Sequence, residues 1–172
     1  MLQTSLKYGL YSGIIMIIFF SITWFALKDI SFGIMEVLGY IGMIVGLSVI
    51  YFGIKHIRDK IFGGSISFKD AFLYGSLMAA IGAIIFGVLD TIYMTVLNPD
   101  FSDQYLNYMI EKAKSSGRTE EQIQKTIEQY TTQMENYTPV FNFFVMFGTV
   151  LLLGVIMSLI FSAILKRKLQ PA

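Results

Sequence analysis

The chain predicts an all-α, polytopic membrane protein: four transmembrane helices with an extracytoplasmic helical hairpin between the third and fourth. Three observations carry this expectation. Four uncharged apolar runs, Tyr8–Leu27, Val37–Ile54, Ala71–Leu89 and Val140–Leu165, hold 20, 18, 19 and 26 residues. A hydrocarbon core of about 30 Å takes roughly 20 apolar residues of helix. The 172 residues are 55% hydrophobic and only 15% charged, with a mean hydropathy of +0.62, less charge than a soluble domain of this length carries. Finally, four spans put both ends of the sequence on one side, and the basic residues gather there. Lys7, Lys55, Arg58, Lys60, Lys69, Lys166, Arg167 and Lys168 face only Asp59 and Asp70. That asymmetry predicts cytoplasmic termini and an extracytoplasmic Asn98–Thr138 segment, in which seven acidic residues outnumber four basic ones.

The elements follow in order. The first span, 8–27, comes after Lys7. It is too long for the apolar region of a cleaved signal peptide and no small-residue cleavage site precedes Lys28, so it reads as a retained signal-anchor helix. Lys28–Glu36 is a tight outer turn containing Gly33. Glu36 opens the second span, 36–55, where its charge meets water and the positive helix end. The link His56–Phe62 reads as a helix continuation or a short interfacial turn. Gly63-Gly64 stops it, because paired glycines adopt positive φ freely. Ser67 is the predicted N-cap of the third span, with Asp70 three residues on. That span covers 70–97, with 71–90 as its bilayer part, and ends at Asn98-Pro99, since proline disfavours helix in the residue before it.

The hairpin, 102–137, has a first arm capped by Ser102 and closed by Gly117. Its second arm opens on the capping box Thr119/Gln122. Ile123, Ile127, Tyr130, Met134 and Tyr137 make one helix face in the second arm, and Tyr105, Met109 and Ala113 a matching stripe in the first. Pro139 restarts the chain as the fourth span, 139–165, followed by a basic tail.

The candidate functional residues are few. Gly75, Ala79, Ala83 and Gly87 recur every fourth position on the third helix. Gly42 and Gly46 do so on the second, Gly9 and Gly13 on the first, and Gly154, Ser158 and Ser162 on the fourth. Small residues let helices approach closely in lipid. Their plain use is packing within the bundle; the sharper one is a homo-oligomer or a membrane-protein partner. Asp90 is the acid that stands inside a helix beyond an uncharged run. If the membrane reaches to Leu97, Asp90 lies roughly 10–12 Å below that end, and a buried acid marks an ion or proton path. The nineteen uncharged residues before it already cross a bilayer, which would instead put it at the interface. Asn142 and Tyr93 are its candidate partners at the same level. Trp24, Tyr8, Tyr51, Phe52 and Tyr137 near span ends fit an aromatic belt.

Several classes are excluded or left without support. With no cysteine there is no disulfide, thiol catalysis or cysteine-held metal. A net charge of +1 gives no reason to expect nucleic acid. Neither Gly at position 2 nor a C-terminal Cys is present to carry a lipid anchor. His56, the sole histidine, has no carboxylate cluster around it, and Glu36 stands at the far end of the same helix. No cofactor or metal is expected.

The run Gly63-Gly64-Ser65-Ile66-Ser67-Phe68-Lys69-Asp70-Ala71-Phe72, followed by Gly75, resembles the signature of a bacterial membrane family, domain of unknown function 4199 (DUF4199). The likeness extends to Lys7-Tyr8-Gly9, to the long polar insertion after the third span and to the basic tail. The resemblance implies a four-span inner-membrane protein and transfers no activity, substrate, cofactor or catalytic residue. In it Gly63 and Gly64 allow the turn before the third helix, and Phe68 and Phe72 seat that helix at the interface. The expected function is therefore that of a non-enzymatic scaffold or accessory, regulatory subunit acting through helix packing and its outer hairpin. The alternative is a small transporter or channel subunit with Asp90 in a polar path.

Overall fold

The computed structural model describes residues 1–26, 30–135 and 137–167. Leu27, Lys28 and Lys168, which entered the expectations above, lie outside them. The elements are α1 (Leu2–Ala26), α2 (Phe32–Leu47), α3 (Val49–His56), α4 (Phe68–Ile92), α5 (Phe101–Lys114), α6 (Glu120–Glu135) and α7 (Pro139–Leu165). Single π-helical turns, Ile57–Ile61 and Tyr93–Leu97, prolong α3 and α4. Among the described residues there is no strand, only an isolated antiparallel bridge between Ile66 and Arg167. Among the described residues, four stretches are long and apolar enough to cross a membrane: Leu2–Phe25, Phe32–Ile61, Phe68–Leu97 and Pro139–Leu165. Large apolar side chains such as Ile18, Ile22, Val88, Leu152 and Ile164 stand exposed on their outer faces, which a soluble monomer avoids on this scale.

Local chemistry sets most boundaries. Ser67 Oγ accepts from Asp70 N at 3.0 Å and donates to the Asp70 carboxylate at 2.6 Å. Thr119 and Gln122 satisfy each other's backbone N–H groups, at 3.4 and 3.3 Å. Thr138 caps α7 through Phe141 N at 3.2 Å, with Pro139 at the first helical position, where its missing N–H loses nothing. Gly63 and Gly64 take φ of +63° and +94°. Several helix starts differ from the sequence reading; α1 begins at Leu2 rather than at residue 8. Ser31 rather than the residue before Glu36 starts the second span, accepting from Ile34 N at 3.5 Å, so Glu36 sits a full turn inside the helix. Ser102 does not cap α5: the turn at Asn98-Pro99-Asp100 carries Phe101 N to Asn98 O at 3.0 Å and starts the helix at Phe101, two residues before a Ser102 cap would.

α4 is the centre of the bundle and packs along both α1 and α7. Its small residues, and those facing it, set the spacing. A Cβ built on Gly154 of α7 would stand 2.5 Å from Ala79 Cβ, and one on Gly75 would stand 2.9 Å from Ser158 Oγ. On the other side, a Cβ on Gly9 would meet Ile81 Cβ at 2.7 Å and one on Gly13 would meet Ile85 Cβ at 2.9 Å. Gly87 lies against the Phe143 ring, and Ala79 and Ala83 are fully buried. Gly42 and Gly46 of α2 instead face Phe19 and Met16 of α1. Ser158 and Ser162 are fully buried with hydroxyls that have no partner among the described residues; their use there is their size.

The second span changes neighbours half-way. Ser48 interrupts it, its Oγ turned back onto Val45 O at 2.6 Å, two residues after Gly46. Glycine–serine pairs and serine back-bonding are recognised causes of helix bends. Before the break, α2 leans on α1 and barely meets α7; after it, α3 touches α1, α4 and α7. The bundle is thus filled beside α3, by Ile50, Ile54 and Ile57 with no exposure, and open beside α2. At the filled end Arg58 donates to Leu165 O at 3.5 Å, and Ile66 and Arg167 exchange two backbone bonds of 3.0 Å.

Gly154→Val drives a branched side chain into Ala79 and is expected to lower stability by about 1–3 kcal/mol. Gly148→Ala, at a glycine with nothing within 4 Å, leaves stability unchanged or slightly raised. Unfolding from mixed micelles by a denaturing detergent reads both; equal losses would remove the close-approach account.

Candidate functional site

The gap between α2 and α7 is a cleft of about 420 Å³, within the 300–1,000 Å³ usual for small-ligand sites. α1 closes its back with Phe20 and Trp24. α2 forms one wall with Met35 and Tyr40, and α7 the other with Phe141 and Val145. The hairpin end of the molecule roofs it with Phe101, Tyr105 and Met134. Phe32 holds that roof down: its ring lies 6.0, 6.0 and 5.3 Å from those of Phe101, Tyr105 and Tyr108. The two arms pack on each other, enclosing a smaller space of about 190 Å³ between Tyr105, Met109, Tyr130 and Met134.

Asp90 and Asn142 stand together in the cleft. Asp90 continues the buried stripe Ala79, Ala83, Phe86, Asp90, Tyr93 of the third span, whose spacings of four and three keep one helix face. It is therefore turned into the bundle, 7% exposed. Asn142, in the first turn of α7, is 1% exposed. Its Nδ2 donates to Asp90 Oδ2 at 2.8 Å and lies 3.4 Å from Thr91 Oγ1. Its Oδ1 accepts from the Tyr137 hydroxyl at 2.8 Å. Burial first, and then the Asp90 carboxylate, raise the Tyr137 hydroxyl above the ordinary phenol value, so it keeps its proton and stays the donor. The result is one hydrogen-bonded run from the hairpin's exit, Tyr137, through Asn142 to Asp90.

The other expected residues fall elsewhere. Tyr93 shares the level of Asp90 but does not bond it. Its hydroxyl accepts from Asn98 Nδ2 at 3.2 Å, and its ring stacks on Trp24 at 3.7 Å. Trp24 is consequently 9% exposed, inside the bundle rather than in an outer belt. His56 lies at the far end, its ring 5.7 Å from that of Tyr8. The small residues Gly42, Gly46, Gly75, Ala79, Ala83, Gly87, Gly154 and Ser158 are helix contacts, as described above. Gly63, Gly64, Ser67 and Phe68 form the turn into α4, away from the cleft. Among the described residues, no three of His, Cys, Asp or Glu converge, and the charged side chains lining the cleft are Asp90 and Glu36, with no lysine or arginine.

Residues 7–167 match the family described as Protein of unknown function (DUF4199). The chain belongs to this family. The matched stretch takes in most of the first span, all of the other three and the hairpin between the third and fourth. No curated protein and no solved structure matches, so the chemistry of the cleft has to carry the functional reading.

Asn142→Leu leaves the buried Asp90 carboxyl without its donor. It is expected to lower stability by about 1–3 kcal/mol, the cost of stranding a buried polar group. In an Asp90→Leu background the same change should cost less, since it then removes only the acceptor of the Tyr137 hydroxyl and the longer contact to Thr91. An equal loss in both backgrounds, measured as a double-mutant cycle in micelles, would show that the two side chains are not coupled.

Proposed function

We propose that this protein is a non-enzymatic accessory or regulatory subunit of the bacterial cytoplasmic membrane that works by binding a small ligand in the cleft beneath its hairpin. The observation that supports this is the run Tyr137–Asn142–Asp90. The residues that fasten the hairpin's exit are the ones a ligand in the cleft would meet. A ligand that bonds Asp90 or Asn142 changes what holds Tyr137, and differential contacts of this kind are what shift a conformational equilibrium. In the proposed orientation both termini are cytoplasmic and 98–138 lies outside, which suits the cluster of basic residues on the link and tail. The hairpin then offers the partner, a second copy or another membrane protein, an exposed polar surface, while the small-residue faces are spent on internal packing.

The second reading, a transporter or channel subunit, is favoured by one observation: an acid this buried within an apolar helix is a common mark of an ion path. The cleft, however, is closed toward the link by α3, so passage through one copy requires α3 to part from α4 or α7.

Two experiments test these statements. The chain has no cysteine, so single replacements label cleanly. Gln124→Cys on α6 should react with a membrane-impermeant maleimide on intact cells, and Lys60→Cys only after permeabilisation; the reverse pattern overturns the orientation. A photo-crosslinking residue at Met35, on the cleft wall, should give a discrete small-molecule adduct by intact mass. The same residue at Leu152, on the exposed face of α7, should give only lipid adducts. Lipid adducts alone at both sites would overturn the ligand cleft.

A further inference from the structure

We infer that the cleft selects an amphiphilic organic cation: one positive charge on a compact apolar body. The inference rests on the ligand-cleft reading and adds the class of ligand. It comes from how the walls and the polar point combine. The walls are aromatic rings and thioethers, including Trp24, Tyr40, Tyr105 and Phe141, surfaces that take apolar groups and attract a cation to the ring face. The two charged side chains are carboxylates, Asp90 inside and Glu36 on the exposed α2 face of the rim. No cationic side chain among the described residues lines the cleft to oppose an incoming positive charge.

The Asp90 carboxylate is itself half-satisfied. Asn142 Nδ2 occupies Oδ2, and Oδ1 accepts no hydrogen bond from any described side chain. Asn142 has little donor capacity to spare, since its Nδ2 already faces Asp90 Oδ2 at 2.8 Å and Thr91 Oγ1 at 3.4 Å, while its Oδ1 accepts from the Tyr137 hydroxyl. An anion would meet Asp90 and Glu36 with repulsion and find only neutral donors in the lining, such as the tyrosine hydroxyls, the Gln133 amide and the Trp24 indole N–H. A neutral apolar molecule would fill the walls and leave Oδ1 unmet. A cation answers both, and its organic body suits a space of about 420 Å³ far better than a bare metal ion, which would find a single carboxylate with no second one beside it.

The test uses a matched pair of probes, benzyltrimethylammonium and its uncharged carbon isostere neopentylbenzene. They share shape and differ in charge. Trp24, the sole tryptophan, reports from the back of the cleft. The full chain in phosphatidylcholine nanodiscs should show a saturable change in tryptophan emission with the cation, at a dissociation constant about tenfold or more below that of the isostere. Asp90→Asn should erase this preference and leave isostere binding unchanged. Glu36→Gln, at an exposed site on α2, should weaken the cation by a smaller factor and keeps the test decisive if Asp90→Asn fails to fold. Isostere binding as tight as the cation's would overturn the charge selection and leave the ligand cleft standing. No saturable response to either probe would overturn both.

Discussion

Apolar side chains gain nothing by leaving lipid for one another, so a bundle of this composition is held by how closely its backbones approach. α4 carries that constraint. Gly75 and Ala79 admit α7 on one side, while Gly9 and Gly13 admit the side chains of α4 into α1 on the other. With α4 engaged on two faces, the second span reaches the centre only beyond its break at Ser48, where α3 fits between α1, α4 and α7. Before the break, Gly42 and Gly46 commit α2 to α1. The separation of α2 from α7, and hence the cleft, follows from which helix each glycine faces.

A gap between helices in a membrane would ordinarily be filled by lipid tails or collapse. Here its polar content argues for another use. The stripe of α4 that enters the bundle is small or apolar at Ala79, Ala83 and Phe86, and an apolar residue at position 90 would complete it without the desolvation that a carboxyl brings. Asn142 does join α7 to α4 through Asp90, but an apolar pair at these positions would pack the two helices without burying an acid. The acid stands where the stripe runs out into the cleft, beside an asparagine that is itself almost fully buried. Two polar side chains placed together in an apolar helix pair, next to a space large enough for a ligand, are better accounted for by what enters that space than by helix association.

Much of this was legible in the sequence, and the limits of that legibility have physical causes. The spans show because insertion demands length and apolarity, which no alternative supplies. Caps at Ser67 and Thr119 show because they are local. Asp90 and Asn142 show as the odd polar residues at one depth. What the sequence hides is the rotation of each helix about its axis: helices that are apolar all round carry almost no signal of which face turns inward. Hence Trp24, read as a belt residue, stacks instead on Tyr93, and Tyr93, read as a neighbour of Asp90, turns to Asn98. Ser102 illustrates a different limit, in which a good capping residue loses to an Asn-Pro-Asp turn that starts the helix before it. The cleft itself depends on a contact that α2 and α7 fail to make, and such a failure leaves no mark in either helix.

The two roots of the hairpin bring these threads together. Each is pinned to a span end by a tyrosine–asparagine pair. At the first, the Asn98 amide donates to the Tyr93 hydroxyl; at the second, the Tyr137 hydroxyl donates to Asn142. The first pair ends in the Trp24 stack, an apolar contact indifferent to charge. The second continues through Asn142 to a carboxyl. Asp90 is therefore linked by hydrogen bonds to the α7 root of the hairpin, while the α4 root is held by ring packing. Under the ligand-binding proposal, Tyr137 is the root whose hold depends on what occupies the cleft, and α6 is the arm that leads into it.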